Sequence, residues 1–156
     1  MGLLLITILI LLFHPDAGQL TAFSCATALI LWKKVTNWIG KMFSLALTAV
    51  FVGLSWAFFD HLAPVPYVED IIFLVEDLGG VWYILGIFSL ILLLCPFFFY
   101  GYKDTISLSL GVYFLSTMLV TLLGHFPLPV MGYGVSPVIG YLIAITWLNK
   151  NKRKTD

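Results

Sequence analysis

Residues 81–101 read VWYILGIFSLILLLCPFFFYG, a run without a single charged side chain. A membrane-crossing helix needs about 20 predominantly apolar residues, so this run is long enough to cross a bilayer once. The same character extends outward over the chain, in which 61% of the 156 residues are hydrophobic and 10% are charged, with a mean hydropathy of +1.04. Soluble domains carry roughly 25% charged residues. The composition therefore predicts an integral membrane protein.

Further apolar runs surround this stretch, and together they predict about six membrane spans. The spans are expected at about 2–14, 18–32, 42–60, 81–101, 105–123 and 130–148. Helices are expected because every backbone polar group in lipid needs an internal partner, and because the runs lack the alternation of a membrane barrel. The prediction is an all-α, polytopic transmembrane helix bundle formed by residues 1–148. The first span is short, and both a re-entrant and a fully spanning conformation are open for it.

The charged residues are sorted between the two sides of this predicted bundle. With six spans, all eight Lys and Arg residues fall on one side, which identifies the cytoplasm and places the C-terminal tail, residues 149–156, there. The basic tail is typical of an anchor beside anionic lipid headgroups, and no nucleic-acid-binding patch is present. The outer side carries Asp16, Asp60, Glu69, Asp70, Glu76, Asp77, His14, His61 and His125. The histidines come from separate loops without ligand-like spacing, so no metal site is predicted.

Three short motifs on the outer side are the candidates for chemistry. The first is HPDAG at residues 14–18, between the first two predicted spans. Pro15 breaks the incoming helix, and the carboxylate of Asp16 can cap the N-terminus of the next helix. This motif therefore predicts a helix-turn-helix connection capped by Asp16.

The second motif is an acidic cluster in the long external loop, residues 60–80. Glu69 and Asp70 precede Glu76 and Asp77 by seven residues each, so the pairs share one face of the short helix expected over 67–78. Such carboxylates can serve as general base and electrostatic partner, or can bind a divalent cation through oxygen. An acidic loop that is only solvated and has no chemical role can show the same spacing of carboxylates. Catalysis by Asp70 or Glu69 and a purely solvated loop therefore remain alternatives.

The third motif is FPLPVMGYGVSP at residues 126–137, which leads into the last predicted span. Its prolines and glycines prevent a regular helix at its beginning. Irregular backbone at membrane depth is tolerated only where it is buried in protein or lines an aqueous cavity. The sequence therefore predicts that this segment faces a cavity and not lipid.

The three motifs, in this order, resemble the C-terminal half of the FtsW/RodA/SpoVE (SEDS) family of cell-shape and cell-division membrane proteins. The first resembles the family's Gln-Pro-Asp-x-Gly-Thr step, the second the Glu-Glu-Leu-Gly end of its external loop, and the third its Leu-Pro-x-x-Ser-Tyr-Gly-Gly-Ser signature. The matching positions are His14, Pro15, Asp16, Gly18, Glu76, Asp77, Gly79, Leu128, Pro129, Tyr133, Gly134 and Ser136.

The resemblance implies a multi-pass protein of the bacterial cytoplasmic (inner) membrane. In complete family members it implies a peptidoglycan glycosyltransferase that polymerises lipid II beside a penicillin-binding protein. The family's acid lies eight residues before its first loop Glu, and that position here is Val68. A one-residue shift brings Glu69 into register, and a two-residue shift brings Asp70. The first half of the family's architecture has no counterpart in this chain.

Three hypotheses follow for function. The sequence favours a truncated, non-catalytic relative that acts in peptidoglycan synthesis, cell shape or division by binding a lipid-linked cell-wall precursor, a penicillin-binding protein or another envelope membrane protein. The alternative is a minimal lipid II glycosyltransferase that uses Asp70, with a divalent cation offsetting pyrophosphate charge. The third is an unrelated small membrane scaffold or transporter. A transporter predicts ionisable residues within the spans, and almost none occur there.

Overall fold

The computed structural model describes residues 2–13, 16–57, 71–100, 104–123, 126–130 and 135–152. Over these residues the chain forms seven α-helices, one π-helical turn and no strand, which confirms the all-helical prediction. The helices are α1 (Gly2–Phe13), α2 (Ala17–Lys34), α3 (Trp38–Ala57), α4 (Ile71–Asp77), α5 (Gly80–Cys95), α6 (Thr105–Val120) and α7 (Val135–Lys152). The π-helical turn is Pro96–Tyr100 and continues α5 directly.

Aspartate side chains start two of these helices. The Asp16 carboxylate accepts a hydrogen bond from the backbone N–H of Gln19 at 2.8 Å, so it caps α2 as the sequence predicted. The Asp104 carboxylate accepts from the backbone N–H of Ser107 at 3.2 Å and caps α6 in the same way. Each cap satisfies a backbone donor that has no partner within its helix.

Within the described residues, two stretches are long and apolar enough to cross a membrane. They are Trp38–Ala57, with a mean hydropathy of 1.5, and Gly80–Phe99, with 2.4, and 11% of each is buried inside the chain. Each has 20 residues, and at about 1.5 Å per residue that length matches a hydrocarbon core of roughly 30 Å. These two stretches indicate association with a membrane. The second contains Pro96, and the helix passes it by widening into the π-helical turn because proline offers no N–H.

Helix α2 lies at the centre of the bundle and packs against α1, α3 and, most extensively, α6. It runs antiparallel to α6, since Ala17 at its start packs near Val120 at the end of α6. The buried positions of the two helices are mostly small or hydroxyl-bearing. They include Ala17, Gly18, Ala22, Ser24 and Thr27 on α2, and Ser107, Ser109, Gly111 and Thr117 on α6.

Many large apolar side chains point outward. Phe43 on α3 is 68% exposed, Ile84 on α5 is 68% exposed and Ile143 on α7 is 63% exposed. A soluble protein buries such side chains and rarely shows large contiguous apolar patches. Small residues between helices and large apolar residues outside are the arrangement that favours packing within lipid.

An aromatic cluster holds α7 and the π-helical turn against α6. The rings of Phe97 and Phe114 stack with centroids 5.5 Å apart, and the Tyr141 ring meets Phe114 edge-on at 5.3 Å. The Tyr141 hydroxyl donates a hydrogen bond to the carbonyl oxygen of Leu93 at 2.9 Å, just before the turn begins. Helix α7 is therefore attached mainly through large aromatic side chains.

The described helices can be compared with the expected boundaries in part. The last apolar run was predicted to span from residue 130, but residue 130 is not helical, and the described helix is Val135–Lys152. Pro129 lies in a turn and Val130 has a positive φ of 73°, a backbone conformation incompatible with a helix. In the external loop a helix was expected over 67–78, and the described helix there is Ile71–Asp77. Glu69 and Asp70 lie outside the described residues.

Two buried serines provide a matched test of this packing. Ser24 and Ser107 are both fully buried, but Ser107 donates from Oγ to the carbonyl oxygen of Phe97 at 3.3 Å, whereas Ser24 Oγ has no hydrogen-bond partner within the described part of the chain. We expect Ser107→Ala to lower the free energy of unfolding by about 1 kcal/mol and Ser24→Ala to leave it unchanged or raise it. Circular dichroism during unfolding in mixed detergent micelles measures the free energy of unfolding of both variants. Equal destabilisation by the two substitutions would contradict this packing.

Candidate functional site

A cavity of about 410 Å³ lies at the end of the bundle where α2 begins; we call it the polar cavity. Its wall comes from α1, α2, α6, α7 and the irregular segment 126–130. The lining residues are Leu11, Asp16, Gln19, Tyr113, Phe114, Thr117, Pro127, Pro129, Ser136, Pro137 and Gly140. The first and third sequence motifs thus meet at one cavity. Of the segment that was predicted to face a cavity, Pro127, Pro129, Ser136 and Pro137 line this one.

Hydrogen-bonding groups from α2 and α6 line this cavity. The Tyr113 hydroxyl donates to Oε1 of Gln19 at 2.5 Å, which links α2 to α6. The Gln19 amide has two N–H donors besides this acceptor, and the Asp16 carboxylate has a second oxygen besides the one that caps α2. Thr117 Oγ1 donates to the carbonyl oxygen of Phe114 at 2.8 Å and keeps its acceptor capacity. The cavity therefore presents donors and acceptors within a few side chains of one another.

The ring of Phe126 anchors the irregular segment to α2. It is 6% exposed, and a Cβ atom on Gly18 would lie only 2.7 Å from its Cδ1 atom. The Trp56 ring meets Phe126 edge-on at 5.6 Å, and Trp56 Nε1 donates to Thr21 Oγ1 at 3.0 Å. Leu128, 2% exposed, is buried just beyond. These contacts place Pro127 and Pro129 against the cavity.

The predicted site residues divide into three groups. Asp16, Pro129 and Ser136 line the polar cavity, while Gly18 and Leu128 pack beside it. Glu76 and Asp77 are exposed at the end of α4 and are not among the cavity-lining residues. His14, Pro15, Glu69, Asp70, Tyr133 and Gly134 lie outside the residues that the structure describes. The catalytic role considered for Asp70 or Glu69 therefore stays a prediction.

Gly79 has a conformational reason for being glycine. Its φ is +119°, which side chains with a Cβ rarely adopt, and it forms the turn between α4 and α5. Its backbone N–H donates to the carbonyl oxygen of Glu76 at 3.0 Å, while its own carbonyl oxygen accepts from Trp82 at 3.0 Å. This part of the second motif is explained by the turn alone.

Neither Tyr113 nor Gln19 was among the site residues predicted from the sequence. The two residues are 94 positions apart, so their contact depends on the packing of α2 against α6. A signal was available, because both are polar side chains within apolar runs. In membrane helices such residues often hydrogen-bond across an interface or mark a site.

The arrangement is suited to non-covalent binding. The described residues contain no group of three or more His, Cys, Asp or Glu side chains that could hold a metal ion. The carboxylate of Asp16 is occupied in part by capping α2, and the other polar lining groups are neutral. A ligand rich in hydroxyl and amide groups, such as a sugar, matches these donors and acceptors.

Comparisons of this chain with models of protein families, with curated proteins and with solved structures find no match. A functional assignment therefore rests on the residues of the chain itself. The polar cavity is the part of the described structure that combines several motif residues with hydrogen-bonding side chains.

Two glycines test the anchoring of the irregular segment. Gly18→Ala places a methyl group against the Phe126 ring, and we expect it to lower the free energy of unfolding by about 1–3 kcal/mol. Gly53→Ala is the control, because Gly53 is exposed on α3 with nothing within 4 Å of an added Cβ. That substitution should be neutral or stabilising, since alanine favours a helix. Detergent-induced unfolding measures both, and equal stability of the two variants would refute the Gly18 contact.

Proposed function

We propose that this chain is a multi-pass protein of the bacterial cytoplasmic membrane and a shortened, non-catalytic relative of the FtsW/RodA/SpoVE (SEDS) family. In this role it binds a lipid-linked cell-wall precursor and serves as a scaffold in peptidoglycan synthesis, cell shape or division. Its protein partner is a penicillin-binding protein or another envelope membrane protein. The convergence of two family-like motifs on the polar cavity carries the proposal.

That convergence supports the proposal because the two motifs are far apart in the sequence. Asp16 comes from the HPDAG motif, whereas Pro129 and Ser136 come from the proline-rich motif. A chance match of short apolar motifs gives no reason for their side chains to share one cavity. Gly18 and Phe126, one from each motif, also pack directly against each other.

The charge distribution supports a multi-pass arrangement. Lys33 and Lys34 end α2, Lys41 lies in the first turn of α3, and Lys150 lies in the last turn of α7. All of these helix ends are opposite the polar cavity. Under the preference for basic residues in cytoplasmic loops, this orientation turns the cavity toward the outer side, where lipid-linked precursors are used by the family.

The size and chemistry of the cavity support binding over catalysis. Ligand sites typically occupy roughly 300–1,000 Å³, so a cavity of about 410 Å³ accommodates one sugar of a lipid-linked precursor. Among the described lining residues, the one carboxylate caps a helix and no side chain is basic, which offers little for general acid–base chemistry. The non-catalytic role is therefore preferred to the glycosyltransferase that uses Asp70.

Polymerisation of labelled lipid II separates the scaffold from the enzyme. We expect the purified chain to make no glycan strands under conditions in which a complete family member makes them. Asp70→Ala and Glu69→Ala should then be indistinguishable from the unmodified chain. Strands that disappear in either variant would establish catalysis and overturn the scaffold proposal.

Binding of labelled lipid II tests the cavity itself. Tyr113→Phe removes the hydroxyl that holds Gln19, and we expect about fivefold weaker binding, as for the loss of one net hydrogen bond. Tyr83→Phe on α5 is the control, because Tyr83 does not line the cavity. Undecaprenyl phosphate, which lacks the sugars, should bind more weakly than lipid II. Absence of saturable lipid II binding would instead favour the unrelated scaffold or transporter.

A further inference from the structure

We propose that a groove between α1, α2 and α3 binds an acyl chain of an anionic glycerophospholipid, with the lipid headgroup held by Lys33, Lys34 and Lys41. This groove, which we call the acyl groove, shares no lining residue with the polar cavity and lies toward the opposite end of α2. The inference goes beyond the proposed function and does not depend on the family resemblance.

The acyl groove has the chemistry of a hydrocarbon site. Its volume is about 320 Å³, and its wall includes Ile8, Leu31, Phe43, Leu47 and Phe51. Thr27, Ser44 and Thr48 bring hydroxyl groups to the wall, and the two on α3 are satisfied within that helix. Ser44 Oγ donates to the carbonyl oxygen of Lys41 and Thr48 Oγ1 to that of Ser44, each at 2.8 Å. Thr27 is 3% exposed, so the groove offers a largely apolar surface.

One end of the acyl groove lies at the turn between α2 and α3. Val35 and Gly40 line that end, and a Cβ on Gly40 would lie 2.8 Å from Cγ1 of Val35. Lys33 and Lys34 come just before this turn and Lys41 just after it. Residues 17–59 contain these three lysines and no acidic residue, so this part of the chain is positively charged where the groove ends. An anionic headgroup complements that charge.

Two tryptophans mark the level at which headgroup and hydrocarbon meet. The rings of Trp32 and Trp38 pack edge-to-face with centroids 5.9 Å apart, and Lys41 Nζ lies 5.0 Å from the centroid of the Trp32 ring. Tryptophan is enriched at the boundary between headgroups and acyl chains, and a cation–π contact restrains the lysine there. The lysine charges lie on the headgroup side of this level, and the apolar groove lies on the hydrocarbon side. This arrangement matches the charged headgroup and the acyl chain of a phospholipid.

Titration of the full chain with dioleoyl-phosphatidylglycerol or dioleoyl-phosphatidylcholine, read by native mass spectrometry from a neutral detergent, tests the headgroup site. We expect the anionic lipid to bind more tightly. Lys33→Gln with Lys34→Gln should weaken its binding about 20-fold, since each lysine near an anionic headgroup contributes about fivefold. The control pair, Lys150→Gln with Lys152→Gln at the end of α7, should retain the preference. Equal binding of the two lipids, or loss of the preference only in the control pair, would overturn the proposal.

Filling the groove tests the acyl chain separately. Leu47→Trp places a larger side chain in the acyl groove, and we expect this substitution to weaken the binding of both lipids at least fivefold. Leu45→Trp is its control, since Leu45 is on the same helix, exposed and outside the groove lining. Circular dichroism should give the same helix content for both variants. Unchanged lipid binding in Leu47→Trp, or a dimer of the chain that this substitution dissociates, would show that the groove does not hold an acyl chain.

Discussion

The contact between Gly18 and Phe126 is the constraint on which the polar cavity depends. A Cβ at position 18 would come within 2.7 Å of the Phe126 ring, so the ring can lie on α2 only because the residue beneath it has no side chain. With the ring in place, Trp56 packs on its edge and Leu128 is buried beyond it. Pro127 and Pro129 then have a fixed position, and the space between them, α2 and α6 becomes a cavity.

The interior that supports this contact is built differently from the core of a soluble domain. Helices α2 and α6 meet through alanine, glycine, serine and threonine, which let their backbones approach closely. In lipid, apolar side chains gain little by moving inward, so packing and hydrogen bonds between helices determine which faces meet. The hydrogen bond from Tyr113 to Gln19 illustrates this, since it joins the two helices beside the cavity. The exposed side chains of Phe43 and Ile84 are consistent with the same environment.

Local features of this fold were predictable from the sequence, and long-range ones were not. The apolar runs predicted helices, and the order Pro15-Asp16 predicted the cap on α2, because both depend on neighbouring residues. Residue 130 is not helical because of the turn at Pro129 and the positive φ of Val130, which the apolar run concealed. The pairing of Gln19 with Tyr113 depends on helix packing over 94 residues, so no local pattern predicted it. Glu69 and Asp70 lie outside the described residues, so the role considered for them rests on the sequence alone.

Helix α2 connects the two candidate sites and also keeps them separate. Its 18 residues rise about 27 Å at 1.5 Å per residue, which is close to the thickness of a hydrocarbon core. Asp16 and Gln19 stand at one end of this helix, and Lys33 and Lys34 stand at the other. A lipid headgroup is much shorter than this distance, so the same headgroup cannot contact both ends of α2. The polar cavity and the basic end of the acyl groove therefore lie at opposite ends of α2, and a ligand at one is distinct from a ligand at the other.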